Sequence, residues 1–145
     1  MHKQLLLKEV EVQLSTILNN KQGNGLLLQI GEVAGPGMVM KPEPIFAAIE
    51  SIQTSESHVI LLTPGGKTFE QADARRLADI HSHLIFVCGH YEGIDERVHE
   101  ALVDEEISIG DYVLTNGVLA ANVVIDAVVR LRPGVLGGGE AATEE

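Results

Sequence analysis

The sequence predicts an α/β fold, a mostly parallel sheet with helices on both faces, and three observations carry that prediction. From residue 59 onward, short apolar runs alternate with longer stretches of helical apolar spacing. Two of the short runs, Val59 to Leu62 and Leu84 to Cys88, are apolar throughout, as strands covered on both faces are. Both are followed by glycine, which marks loops at strand ends, where open α/β sheets bind ligands.

Each element follows in order. Leu7, Val10, Leu14, Ile17 and Leu18 share one helical face, while Val10, Val12 and Leu14 alternate with Glu9, Glu11 and Gln13 as in a strand; a helix is the reading adopted. Asn19, Asn20, Gly23, Asn24 and Gly25 form a turn, Leu26 to Ile30 a buried strand, and Gly31 to Gly37 a loop. Pro42 and Pro44 open a helix whose stripe is Ile45, Ala48, Ile49 and Ile52. Val59 to Leu62 is a strand closed by Thr63-Pro64-Gly65-Gly66, and Phe69 to Ile80 a helix. Leu84 to Cys88 is a strand ending at Gly89, and Ile94 to Leu102 a short helix. Ile107 to Leu114 is strand-like with Gly110 interrupting it, and Val118 to Leu131 is a long apolar helix stopped by Pro133 and Gly134.

A chain of 145 residues is long enough for one domain with a real core and short for two. Aromatics are 3% of it, so the core is aliphatic and base stacking is not a general binding device. The net charge of -11 has the wrong sign for gripping nucleic acid by neutralising phosphates over a broad face. The single cysteine, Cys88, excludes an intrachain disulfide. No apolar run reaches membrane-spanning length and no cleavable leader is visible, so a cytoplasmic chain is expected.

The main functional signal is glycine at three strand ends: Thr63-Pro64-Gly65-Gly66, Gly89-His90-Tyr91-Glu92-Gly93 and Ser108-Ile109-Gly110-Asp111-Tyr112. Such loops expose backbone N–H and C=O groups that can read an adenine or ribose edge, although ordinary strand-to-helix turns look the same. Neither a dinucleotide fingerprint nor a P-loop is present, which disfavours a pyrophosphate ligand. Asp95 and Glu96 suit a helix start, and Asp104 to Glu106 a solvated edge. His81 and His83 are a close pair lacking a third metal ligand, so a metallohydrolase is remote, and Cys88 reads as a buried structural thiol.

The stretch Val87-Cys88-Gly89-His90-Tyr91-Glu92-Gly93-Ile94-Asp95-Glu96-Arg97-Val98, then Ser108-Ile109-Gly110-Asp111-Tyr112-Val113-Leu114, closely resembles the bacterial tRNA (guanine-N1)-methyltransferase family, TrmD, of the SPOUT class. Gly35-Pro36-Gly37-Met38-Val39-Met40-Lys41-Pro42, Leu62-Thr63-Pro64 and Arg132-Pro133-Gly134-Val135-Leu136-Gly137 resemble further family blocks in order. The resemblance implies a C-terminal deep trefoil knot, a homodimer, and S-adenosyl-L-methionine as donor for methylating N1 of the guanosine 3′ of the tRNA anticodon. It divides the chain into a divergent N-terminal segment of the same domain (1–34), a knotted cofactor-binding domain (35–136), and a flexible tail or start of a linker (137–145). By position, Leu62, Pro64, Gly89, Tyr91, Glu92, Ile109, Gly110, Asp111, Tyr112, Val113 and Leu114 would surround the cofactor. Arg130 matches the catalytic arginine, and Glu145 falls where the family has an aspartate base. Magnesium dependence is a family property; Glu92 is the candidate for its neighbourhood, and no metal ligand set is assigned.

The chain also departs from the family. Asn116-Gly117-Val118 stands where Gly-Gly-Glu is typical, Ala120 replaces a common proline, and these residues contain no counterpart of the helical domain that grips tRNA. The expectation is therefore a methyltransferase that is weak or inactive in this short form. The alternative is a non-catalytic knotted dimerisation or nucleoside-binding module.

Overall fold

The computed structural model describes residues 11–20, 23–31, 42–89 and 94–136. Strands β1 (Glu11–Asn20) and β2 (Gly23–Gly31) form an antiparallel hairpin with Leu14 opposite Leu28. This corrects the helix read over Leu7 to Leu18. The apolar spacing supports both periods over so short a stretch, and the extended partner in β2 decides between them.

Helix α1 (Pro42–Ile52) begins on its proline, where a missing N–H costs nothing. There follow β3 (Ser57–Thr68), α2 (Gln71–Ile80), β4 (His83–Cys88), α3 (Glu96–Leu102), β5 (Glu105–Ser108) and α4 (Val118–Val129). The sheet order is β1-β2-β4-β3-β5, with every pairing parallel except the outer hairpin. A mostly parallel sheet needs helices on both faces, and the side chains of β3 and β4 point alternately to each. Val59, Leu61, Ile85 and Val87 meet Ile45 and Ile49 of α1 and Val98 of α3. Ile60, Leu62, Leu84 and Phe86 meet Leu77 of α2 and Val124 of α4. Ile60, Ile85 and Leu77 are fully buried, each stabilising the fold by roughly 1.5–3 kcal/mol relative to exposure.

Local chemistry sets the ends of the helices. The Glu70 N–H donates to Asp73 Oδ2 (3.1 Å) at the start of α2, and the Arg97 N–H donates to Asp95 Oδ1 (2.9 Å) at the start of α3. Asp95 thus takes the helix-starting role its sequence position suggests.

Two strand predictions need correction. Thr63-Pro64-Gly65-Gly66 does not end β3; it bulges out, Leu62 and Lys67 both pairing with Ile107, before the strand resumes to Thr68. Glycine is needed there, because a Cβ on Gly66 would lie 2.8 Å from the backbone of Glu106 and Ile107. The strand expected over Ile107 to Leu114 stops at Ser108. The Ser108 hydroxyl donates to the Gly110 carbonyl (2.9 Å) and accepts from the Gly110 N–H (3.2 Å), turning the backbone out of the sheet. Among the described residues, no helix is long and apolar enough to cross a membrane.

Candidate functional site

The parallel strands β3, β4 and β5 all end on one side of the molecule, and a cavity of about 400 Å³ opens there. Leu61 to Pro64, where β3 enters its bulge, form one wall, Gly89 follows β4, and Ile107 to Gly110 run out of β5. Tyr112 to Gly117 close it from above, and Ala120 of α4, with Ile94 and His99 from the α3 side, complete the lining. This is where open α/β sheets place ligands, and the volume suits a nucleoside-sized molecule.

The wall after β5 is held by backbone bonds. Beyond the Ser108 turn, the Gly117 N–H donates to the Gly89 carbonyl (3.1 Å), so the returning chain lies directly on the end of β4. A Cβ on Gly117 would sit 3.1 Å from Cys88 Cα, tighter than an ordinary contact. The Asn116 side chain accepts the Val118 N–H (3.0 Å), securing the entry to α4.

Charge is sparse in this lining. Cys88, behind the cavity, is buried, and burial pushes its thiol up to about 12, so it is structural rather than nucleophilic. The titratable side chains of the lining are those of His99 and Tyr112, and His99 Nδ1 lies 2.6 Å from Glu106 Oε1. Ionic groups concentrate at the opposite ends of the strands instead. There Arg76 of α2 reaches both carboxylate oxygens of Glu105 (2.5 and 3.2 Å) and also Asp73 (3.3 Å), while His58 Nε2 lies 3.0 Å from Glu105. The His58 and His81 rings stack at 4.0 Å, and His83 Nδ1 meets Ser57 Oγ at 2.6 Å. His81 and His83 are thus occupied in separate contacts, and among the described residues no group of three or more His, Cys, Asp or Glu could hold a metal ion.

The cavity gathers Leu62, Pro64, Gly89, Ile109, Gly110, Tyr112, Val113 and Leu114, eight of the residues singled out from sequence. Asp111 is exposed and outside the lining. Arg130 caps the far end of α4, roughly 15 Å along the helix axis from Ala120 at 1.5 Å per residue, and is not in the lining. Tyr91, Glu92 and Glu145 lie outside the described residues. Sequence reasoning quoted Ser108 as part of the third glycine loop without giving it a role of its own, and passed over His99. The glycine two places after Ser108 hinted at the first; His99 carries no local signal, because its carboxylate partner stands on another element.

The family model for tRNA (guanine-1)-methyltransferase TrmD matches residues 28–145. The tRNA (guanine-N(1)-)-methyltransferase of Carboxydothermus hydrogenoformans is 60% identical over 111 residues, 77% of this chain and 44% of that protein. The proteins of the same name from Protochlamydia amoebophila and Chloroflexus aggregans are 58% and 60% identical, each over 77% of this chain and over 50% and 44% of their own lengths. The chain spans about half the length of the curated relatives it matches.

Proposed function

The chain belongs to the tRNA (guanine-1)-methyltransferase TrmD family, and from that premise we propose that it binds S-adenosyl-L-methionine in the cavity at the strand ends and serves methylation of guanine N1 in tRNA. The observation that carries this reading is that eight of the residues placed around the cofactor from sequence line one cavity. When bound, S-adenosylmethionine supplies an electrophilic methyl group on sulfur. The backbone of Ile109 to Leu114 and of Gly89 offers hydrogen-bond donors and acceptors to adenine and ribose without a cost in charge desolvation. Leu62 and Pro64 exclude water from one side, and the ring of Tyr112 stands at the opening, about half exposed.

The finer parts of the reading belong with it. Guanine N1 must lose its proton to present a lone pair, a task for a carboxylate base such as Glu145, while the Arg130 guanidinium would stabilise charge on O6. Arg130 is remote from the cavity of its own chain, and Leu119, Val123 and Val113 are more than half exposed along α4 and the loop before it; a homodimer would cover that face and could bring the arginine to a partner's cavity. The return of Gly117 onto Gly89 supports a knotted path through residues 109–117. The target is the guanosine 3′ of the anticodon, and the segments 1–34 and 137–145 flank the cofactor domain, as the resemblance implies. Magnesium would have its place near Glu92, as the resemblance implies. Val118, where the family typically has an acid, favours as a second reading a module that binds the nucleoside without transferring methyl.

Isothermal titration with S-adenosylmethionine, paired with a methyl-transfer assay on unmodified tRNA, tests the proposal. Saturable binding, weakened about tenfold by Tyr112→Ala if its ring covers the ligand, is the expected result. Binding without transfer would select the second reading, and a folded chain that binds nothing would overturn both.

A further inference from the structure

The chain is held closely where it leaves α4. The Arg130, Leu131 and Arg132 N–H groups donate to the carbonyls of Asp126 (3.2 Å), Val128 (3.2 Å) and Val129 (2.9 Å), so the helix tightens as it ends. Leu131 packs against the core cluster that α2 and α4 share. Gly134, at a φ of 80°, then turns the backbone, and the Val135 N–H closes that turn on the Arg132 carbonyl (3.3 Å). Between these two points the Arg132 guanidinium donates from Nη2 to the backbone carbonyl of His81, 51 residues away in sequence. His81 caps the carboxyl end of α2, whose own last turn holds no basic residue. Arg132 therefore supplies, from another element, the cation that a helix end favours.

Arg132 lies outside the cavity lining but only two residues from Arg130, no more than about 7 Å along the chain. Resting on the reading in which Arg130 stabilises charge on guanine O6, we propose that Arg132 is a positioning residue for methyl transfer, its bond to the His81 carbonyl fixing the exit of α4 and thereby the backbone from which Arg130 projects. A long side chain is placed no better than the backbone that carries it, and a helix end frays unless something outside the helix holds it. Misplacing a group by about 1 Å can cost about a hundredfold in rate, so a fixed exit matters more to the reaction than to the fold. The acceptor is a main-chain atom, which separates this anchor from the His81 ring and its stacking on His58 at 4.0 Å.

The test pairs isothermal titration of S-adenosylmethionine with the kinetics of methyl transfer to unmodified tRNA, in the unaltered chain, Arg132→Met, Arg132→Lys and His81→Ala, each checked for folding by its thermal melt. Arg132→Met is expected to lower kcat by at least about tenfold while cofactor affinity stays within about twofold. Arg132→Lys, which keeps a donor and the charge, should recover most of the rate. His81→Ala removes the ring but keeps the carbonyl, and should match the unaltered chain. If Arg132 serves stability alone, Arg132→Met shifts the melt and leaves kcat as it was. That result, or a fall in rate matched by an equal fall in cofactor affinity, would overturn the inference and leave the proposed function standing. An unaltered chain that binds the cofactor without transferring methyl would overturn the inference together with the transfer reading, and one that binds nothing would overturn the cofactor reading as well. If Arg132→Met does not fold, Arg132→Gln takes its place, with the same split between rate and affinity expected.

Discussion

The two ends of the same three strands are built on opposite plans. At the carboxyl ends of β3, β4 and β5 the chain offers glycines, backbone amides and an open cavity whose lining, among the described residues, holds no Asp, Glu, Lys or Arg. At the amino ends Arg76, Glu105, Asp73, His58 and the stacked His81 satisfy one another, and Asp104 Oδ2 accepts the Val59 N–H at 2.8 Å. A ligand needs groups left available, and a stable fold needs groups already paired. Placing the two at opposite ends of one buried sheet lets each be met without weakening the other, which makes the comparison testable by mutation.

Arg76→Ala should show the largest separation. It strips a bidentate partner from Glu105, whose side chain is 17% exposed, and a second from the buried Asp73. Breaking a fully buried pair costs about 3–5 kcal/mol, and with Arg76 itself one-third exposed the loss expected here is nearer about 2 kcal/mol. Denaturant unfolding should record that loss, while affinity for S-adenosylmethionine in the folded protein stays unchanged. A parallel fall in affinity would mean that the ends are coupled and the comparison fails.

Ser108→Ala should do the reverse. Removing its hydroxyl frees the Gly110 N–H and C=O and loosens the turn that carries Ile109 to Leu114, at about 1 kcal/mol of stability. If the pocket is read by that backbone, the cofactor affinity should drop several-fold, and Ser108→Thr, which keeps the hydroxyl, should restore it. A stability loss with no change in affinity would place Ser108 with the scaffold, against the division drawn here.

How much of this was legible in the sequence follows the same division. The strands from Val59 to Leu62 and Leu84 to Cys88 and the helices after Pro42 were readable because burial on both faces writes itself into local composition. The glycine loops were readable because close backbone approach demands a specific residue. What was hidden depends on partners distant in sequence. The β1 hairpin needed β2, the bulge in β3 needed Ile107 opposite both Leu62 and Lys67, and Arg76 meets Glu105 from another element. Periodicity is silent about such pairs, and a lone histidine on a helix such as His99 is indistinguishable from a surface one until Glu106 is seen beside it.

The smallest effect sharpens the comparison most, because each end carries its own histidine. Burial is the main reason that His81 and His83 titrate below the ordinary histidine value, and for His81 the neighbouring His58 and Arg76 add to it. Their folded values lie below the unfolded value of about 6.5, so the unfolded chain binds more protons in the window beneath it and stability falls as the pH is lowered through that window. A second loss follows below about pH 4. There Asp73, lowered chiefly by Lys67, becomes protonated, as does Glu105, in which burial pushes upward but is outweighed by Arg76 and His58. Melting temperature should therefore decline between about pH 7.5 and pH 5.5, and replacing His81 and His83 together by phenylalanine should flatten that step. The same double variant should leave cofactor affinity unchanged, since the cavity lies at the other ends of the strands. A melting temperature indifferent to pH above about 5 would remove the histidines from the stability of that end, and a fall in affinity in the double variant would show that the two ends are coupled.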